Sequence, residues 1–228
     1  MTFGTARLRP RALLASLVFA PLLIAPAPVS GQAAPITTED LTAFRPREIG
    51  PAVTGGRIHD VAADPSNPSV LYVATASGGL WKSTTRGQTW TVLTDDWPVS
   101  TFGDVALAPS NADIIYAGTG EQNNRQSTSW GNGVYRSDDG GTTWRHLGLA
   151  ETRHIGKIEV HPTDPDVAYV AALGNLWAPS EERGVYRTRD GGTTWDRVLF
   201  VDASTGAVDL VMDPTNPEAV SYTHLRAH

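Results

Sequence analysis

The chain has 228 residues, 40% hydrophobic and 18% charged, which supplies enough apolar side chain for a packed core and sets it apart from disordered proteins. Its formal net charge of −6 argues against a nucleic-acid partner, and the absence of cysteine excludes disulfides, thiolate nucleophiles and Cys-ligated zinc. Gly 22, Pro 16 and Trp 7 favour turn-rich β structure over helical bundles.

The first expected element is a secretory leader over residues 1–34. Arg7, Arg9 and Arg11 precede an apolar run from Ala12 to Ala27, and cleavage is expected between Gly31 and Ala34. Pro21 and Pro26 break a run already shorter than the roughly 20 residues a membrane span needs, so a secreted or periplasmic protein with no membrane span is expected. Fifteen basic and 24 acidic residues then remain, a formal charge of −9. Residues 35–55 form an N-terminal extension, with Phe44, Arg45, Pro46 and Ile49 to Pro51 as candidates for an outer strand closing the last blade of a longer chain.

A repeat of about fifty residues follows. Gly79-Leu-Trp-Lys-Ser-Thr-Thr-Arg-Gly-Gln-Thr-Trp90 aligns with Gly133-Val-Tyr-Arg-Ser-Asp-Asp-Gly-Gly-Thr-Thr-Trp144 and with Gly184-Val-Tyr-Arg-Thr-Arg-Asp-Gly-Gly-Thr-Thr-Trp195. Upstream of each lies a second anchor, starting at Asp64-Pro-Ser-Asn-Pro, Ala108-Pro-Ser-Asn-Ala and His161-Pro-Thr-Asp-Pro, and a fourth copy starts at Asp213-Pro-Thr-Asn-Pro. Alternating apolar residues between these turn signals predict four short strands per unit. In the first unit these are strand A over Ile58 to Ala63, B over Val70 to Thr75, C over Leu80 to Ser83, and D from Trp90.

Four antiparallel strands repeated radially make an all-β propeller, with units 56–97, 98–150 and 151–203 and a partial unit 204–220. About three blades and the start of a fourth form an incomplete ring, so the remaining blades of a longer protein are expected partners. A strand A over Val208 to Met212 and a strand B from Glu218 are expected in the fourth unit. Residues 221–228 lack the Tyr-x-Ala-Thr ending of the earlier units and read as a non-native tail, with no function expected of His224 or His228.

Ser137-x-Asp139-x-Gly141-x-Thr143-Trp144 resembles the Asp box of bacterial-neuraminidase-type (BNR) repeats, found in sialidases, the sortilin family and several glycoside hydrolases. Three copies at blade spacing make the chain similar to the exported sortilin-like repeat proteins of bacteria. Thr85 departs from the motif where Asp is expected, as does Thr188 where Ser is expected. A carboxylate in a Gly-containing turn accepts backbone N–H bonds, and the following indole packs between sheets. Ser137, Asp139, Gly141, Trp144, Asp190, Gly192, Trp195 and Trp90 are therefore expected to be structural, not catalytic.

With the box in the C–D hairpin, the B–C and D–A connections emerge on the opposite rim, where binding chemistry is expected. The second unit's long B–C connection carries Glu121, Asn124, Arg125 and Trp130, and the third carries Trp177, Glu181, Glu182 and Arg183. Arg57 and His154 start equivalent inner strands and are expected near the channel mouth. An aromatic platform with charged hydrogen-bonding groups suits a peptide or glycan ligand. Arg57, Glu121, Asn124, Arg125, Trp130, His154, Trp177 and Arg183 are the candidate ligand-binding residues.

A binding propeller of sortilin-like type is the favoured reading, and a glycoside hydrolase, sialidase-like or glucan-active, is the alternative. Glu121 and Glu182 are the candidate catalytic carboxylates, since glycoside hydrolysis needs two such groups flanking the bond. The xyloglucan-degrading Asp-box enzymes carry a catalytic Asp just after strand B of the first blade, and here Ala76 stands at the matching place, which counts against their mechanism. No nucleophile elbow, His-Glu-x-x-His or phosphate loop is present, and neither a metal nor a cofactor is expected.

Overall fold

The computed structural model describes residues 57–226. The expected leader and N-terminal extension lie outside the described residues. Three four-stranded antiparallel sheets and a two-stranded hairpin follow one another along the chain. The first sheet comprises β1 (Ile58–Ala63), β2 (Leu71–Thr75), β3 (Leu80–Ser83) and β4 (Thr91–Val92). The second comprises β5 (Phe102–Ala108), β6 (Asn111–Thr119), β7 (Val134–Ser137) and β8 (Arg145–His146). The third comprises β9 (Ile155–Val160), β10 (Ala168–Ala172), β11 (Gly184–Thr188) and β12 (Asp196–Leu199), and β13 (Thr205–Asp213) pairs with β14 (Asn216–Arg226). The only helical element among the described residues is a 3-10 turn at Ala150–Thr152.

Local chemistry accounts for the turns. In the A–B turn of the first sheet, Asp64 Oδ1 accepts from Ser66 N at 2.8 Å and Asn67 N at 3.2 Å. Asp213 Oδ1 does the same for Thr215 N and Asn216 N in the last hairpin. In the third sheet an imidazole takes this place, with His161 Nδ1 accepting from Thr163 N and Asp164 N. Each C–D turn closes on a hydroxyl: Ser83, Ser137 and Thr188 accept from Gly87 N, Gly141 N and Gly192 N, each at 2.8 Å. Gly141 (φ 90°) and Gly192 (φ 88°) occupy the left-handed region, where a side chain would be strained.

Successive sheets stack face to face. Tyr72, Leu80, Phe102, Val105 and Ile115 fill the space between the first and second sheets, with Trp97 and Trp144 against them. Tyr116, Val134, Ile155, Ile158 and Val170 fill the next interval, with Trp195 alongside, and Tyr169, Val185, Leu210 and Met212 join the third sheet to the hairpin. The first strands β1, β5, β9 and β13 lie side by side as the innermost row. Close approach there requires glycine: a Cβ on Gly103 would lie only 1.9 Å from the Ile155 carbonyl oxygen, and one on Gly156 only 2.1 Å from that of Val208, both far inside van der Waals contact. Stacked four-stranded sheets with converging first strands are the architecture of a β-propeller.

The indoles divide. Trp144 reaches the preceding sheet's core, and Trp195 Nε1 donates to the Leu147 carbonyl at 2.8 Å, across the sheet boundary. Trp90, expected to pack between sheets like the other two, is instead 39% exposed, because among the described residues no sheet precedes the first. The last hairpin also departs from the expected pattern. β13 and β14 extend beyond Val208 to Met212 and Glu218 to Val220, and residues 221–226 continue β14, paired as far as Thr205 with Arg226.

Candidate functional site

Backbone bonds separate the two rims. Arg86 N, Gly140 N and Gly191 N donate to the carbonyls of Ser69, Asp113 and Asp166, so each C–D turn is tied to the A–B turn of its own sheet on one rim. On the other rim Ala76 N donates to Arg57 O, Gly120 N to Thr101 O, Gly131 N to Arg153 O and Leu173 N to His154 O, tying B–C connections to D–A connections. The candidate ligand-binding residues lie on these connections.

Glu121, Arg57 and His154 meet. Glu121 is 1% exposed, its carboxylate pairs with the Arg57 guanidinium and accepts from Ser129 N at 3.2 Å, and its own N–H donates to Ser129 O at 2.9 Å. The carboxylate thus closes the loop that carries Asn124, Arg125 and Trp130. His154 Nδ1 lies 3.0 Å from the Glu121 carbonyl, which can only accept, so that nitrogen carries the proton. Burial, with help from the Arg153 and Arg183 charges, lowers His154 to about 4 and keeps it neutral at neutral pH. Expected at the channel mouth, His154 is enclosed, and its contacts hold the loop together.

Arg183 also turns inward. It is 1% exposed and donates to the carbonyls of Leu173 at 2.7 Å, Ala178 at 3.2 Å and Asn175, gathering the third unit's long connection around one guanidinium. Expected to reach a ligand, it has its terminal nitrogens committed to its own loop instead. A planar fork with several donors suits this task, because unpaired loop carbonyls are costly to bury.

What remains free is aromatic and polar. Trp130 and Trp177 are 60% and 57% exposed, on neighbouring sheets' B–C connections. The Arg153 guanidinium lies 4.5 Å from the Trp130 ring, fixing one indole face, and Asn175 Oδ1 accepts from Trp177 N at 3.0 Å. Asn124 and Arg125 are exposed at the tip of the second unit's loop, with Arg125 N bonded to Thr128 Oγ1 at 2.8 Å. Glu182 is exposed and accepts from Tyr186 Oη at 3.2 Å, so the two candidate carboxylates occupy unlike surroundings, one enclosed and ion-paired, the other open.

A feature with no signal in the linear sequence lies beside these loops. A cavity of about 370 Å³ opens against the innermost strands and is lined by His59, Asp60, Asp104, Asn123, Lys157 and Asp209, among others. Asp60, Asp104, Lys157 and Asp209 occupy the same place on β1, β5, β9 and β13 and are spaced 44 to 53 residues apart, so only the stacking of the sheets brings them together. Asp104 Oδ1 accepts from Lys157 Nζ at 2.9 Å and Oδ2 from Ile158 N at 2.8 Å. Burial pushes the Asp104 carboxyl up to about 7, with the Lys157 charge opposing and the Asp60 charge adding to the rise. Lys157 is held protonated by Asp104 against its own burial and, still partly open to solvent, it is the partner that keeps its charge.

No known protein-family model matches this chain. It is similar to a xyloglucanase of Acetivibrio thermocellus, with 26% identity over 179 residues, covering 62% of this chain and 20% of that protein. It thus spans about a fifth of the length of that curated relative. Among solved structures, an ancestral GH74 enzyme superposes with a TM-score of 0.59 at 24% identity, covering 74% of this chain and 22% of that one. The GH74 xyloglucanase from Xanthomonas campestris gives 0.56 at 24% identity, with 74% and 28% covered. YCF48 bound to D1 peptide gives 0.50 at 16% identity, with 71% and 46% covered. At these identities the solved structures show the β-propeller fold alone.

Proposed function

We propose that this chain is part of an exported, glycan-recognising propeller of glycoside-hydrolase-like type, with the B–C and D–A rim as its binding face. The observation that carries the proposal is the pair of exposed indoles, Trp130 and Trp177, on loops whose interiors are locked by Glu121 and Arg183. Sugar rings present flat C–H faces, and an indole held in place loses little freedom on stacking against one. Asn124, Arg125 and Glu182 are free to bond the hydroxyls at the ring edge. The likeness to a xyloglucanase supports the hydrolase-like alternative over a sortilin-like propeller with a peptide ligand. The same likeness makes a β-glucan the first ligand to try.

Whether the rim also cleaves is a separate matter. Ala76 is buried where the resemblance places a catalytic carboxylate, so turnover would need other acids, of which the open Glu182 and the ion-paired Glu121 are the candidates. The test is calorimetric titration of the protein with a xyloglucan oligosaccharide. Trp130→Ala and Trp177→Ala should each weaken binding by about tenfold, the loss of one stacked ring. Equal affinity in both variants would defeat the proposal, and saturable binding of peptides but not glycans would restore the sortilin-like reading. Reducing-end release that disappears in Glu182→Gln or Glu121→Gln would add catalysis.

A further inference from the structure

The cavity on the innermost strands is lined by charges of both signs, with aspartates in the majority. The Lys157 ammonium stands in it, with one N–H engaged by Asp104, and would repel a cation. Asp60 and Asp209 flank it, and their carboxylates would repel an anion. His59 contributes one edge of its ring: Nδ1 lies 2.8 Å from the Phe102 carbonyl and must carry the proton, burial lowers the pKa of the imidazole, and Nε2 is buried without a partner. Asn123, exposed on the adjoining loop, brings both an acceptor and a donor. Carboxylates outnumber the single ammonium in the lining, so an anion would meet like charge at close range, where solvent screens poorly. Hydroxyl groups fit, since each can donate to a carboxylate while accepting from an ammonium or a carboxamide.

We infer that this cavity is a second subsite on the same face, taking a neutral, hydroxyl-rich ring, the terminal sugar of a glycan whose neighbouring residues stack on the rim. Its volume of about 370 Å³ accommodates one monosaccharide unit and falls within the size range of small-ligand pockets. The inference rests on the glycan reading above and adds the residues that would recognise the chain end, with Asp60, Asn123, Lys157 and Asp209 as the hydrogen-bonding groups.

The test uses the same xyloglucan oligosaccharide, titrated into the wild-type protein and into Asn123→Ala and Asp209→Asn, two exposed positions where folding should be preserved and where an unchanged thermal transition verifies it. Each variant should weaken binding by about tenfold, and the loss should add to that of Trp130→Ala, as expected of separate contacts on one ligand. Glucose should compete for the cavity better than glucuronate, whose carboxylate would face Asp60 and Asp209. Wild-type affinity in both cavity variants, alongside weakened binding by Trp130→Ala, would overturn the subsite and leave the glycan reading standing. Tighter competition by glucuronate would also overturn the subsite. An oligosaccharide that fails to bind the wild-type protein at all would overturn both.

Discussion

Thr85 stands where Asp139 and Asp190 stand in the later C–D turns, and the hydrogen bonds record the difference. Thr85 Oγ1 accepts from Thr89 N at 2.9 Å, much as Asp139 Oδ1 accepts from Thr143 N at 2.8 Å and Asp190 Oδ1 from Thr194 N at 2.9 Å. The carboxylates go further, since Asp139 Oδ1 also accepts from Thr142 N and its second oxygen accepts from the Thr143 hydroxyl at 2.6 Å. Thr188, the other departure from the repeated pattern, loses nothing: its hydroxyl reproduces the bonds Ser137 makes. Asp139→Ala should therefore lower the melting temperature by a few degrees without altering glycan affinity, and Thr85→Asp should raise it. Both shifts are readable by calorimetry, and a selective loss of binding in Asp139→Ala would assign that carboxylate a role in the site.

At the scale of the strand and its neighbour, the same clasp recurs from sheet to sheet. A tyrosine on each second strand lies under a cation on each third: Lys82 over Tyr72 at 5.3 Å, Arg136 over Tyr116 at 5.2 Å and Arg187 over Tyr169 at 6.0 Å. The first two pairs reach the following sheet. Tyr72 Oη and Lys82 Nζ donate to the Gly140 carbonyl at 3.0 and 2.7 Å, while Tyr116 Oη donates to Pro165 O and Arg136 Nη1 to Asp166 Oδ1 at 2.7 Å. Arg136→Met keeps the stem over the ring but removes the bonds to the exposed Asp166, and should cost about 1–2 kcal/mol. Chemical denaturation would measure it, and an unchanged midpoint would mean that this cation adds nothing to the junction between these sheets.

For the molecule as a whole, stability should depend on pH at both ends. Hydroxyl and backbone donors hold Asp139 and Asp190 down at about 2, below the ordinary carboxylate value, so their contribution is present above about pH 4 and is lost as pH falls toward 2. Asp104 acts with the opposite sign. Raised to about 7 by burial, it contributes most when protonated, fully so below its unfolded value, and that contribution is lost as pH rises through 7. The melting temperature should therefore peak near pH 4, falling on the acid side as Asp139 and Asp190 protonate and along an alkaline limb between about pH 4 and 7 as Asp104 ionises, and Asp104→Asn should flatten that alkaline limb while leaving the acid limb in place. An alkaline limb that persists in Asp104→Asn would place the titrating group elsewhere.

What the linear sequence determined by itself is what depends on near neighbours. Strands A and C of the first unit run over the residues expected of them, and the turns form where expected, because their hydrogen bonds span only two to four residues and a Ser, Thr, Asp or Gly at the right offset suffices. The repeat period in turn implied stacked sheets with an indole at each junction, which Trp144 and Trp195 occupy. Which polar residues stay open to solvent was decided by tertiary structure. Glu121, His154 and Arg183 look on paper like Arg125 or Glu182, yet they are enclosed because loop carbonyls and an ion-pair partner from other segments surround them. The cavity carried no local signal, since Asp60, Asp104, Lys157 and Asp209 sit one per sheet and acquire a shared electrostatic field only when the inner strands converge on glycines too small to hold them apart.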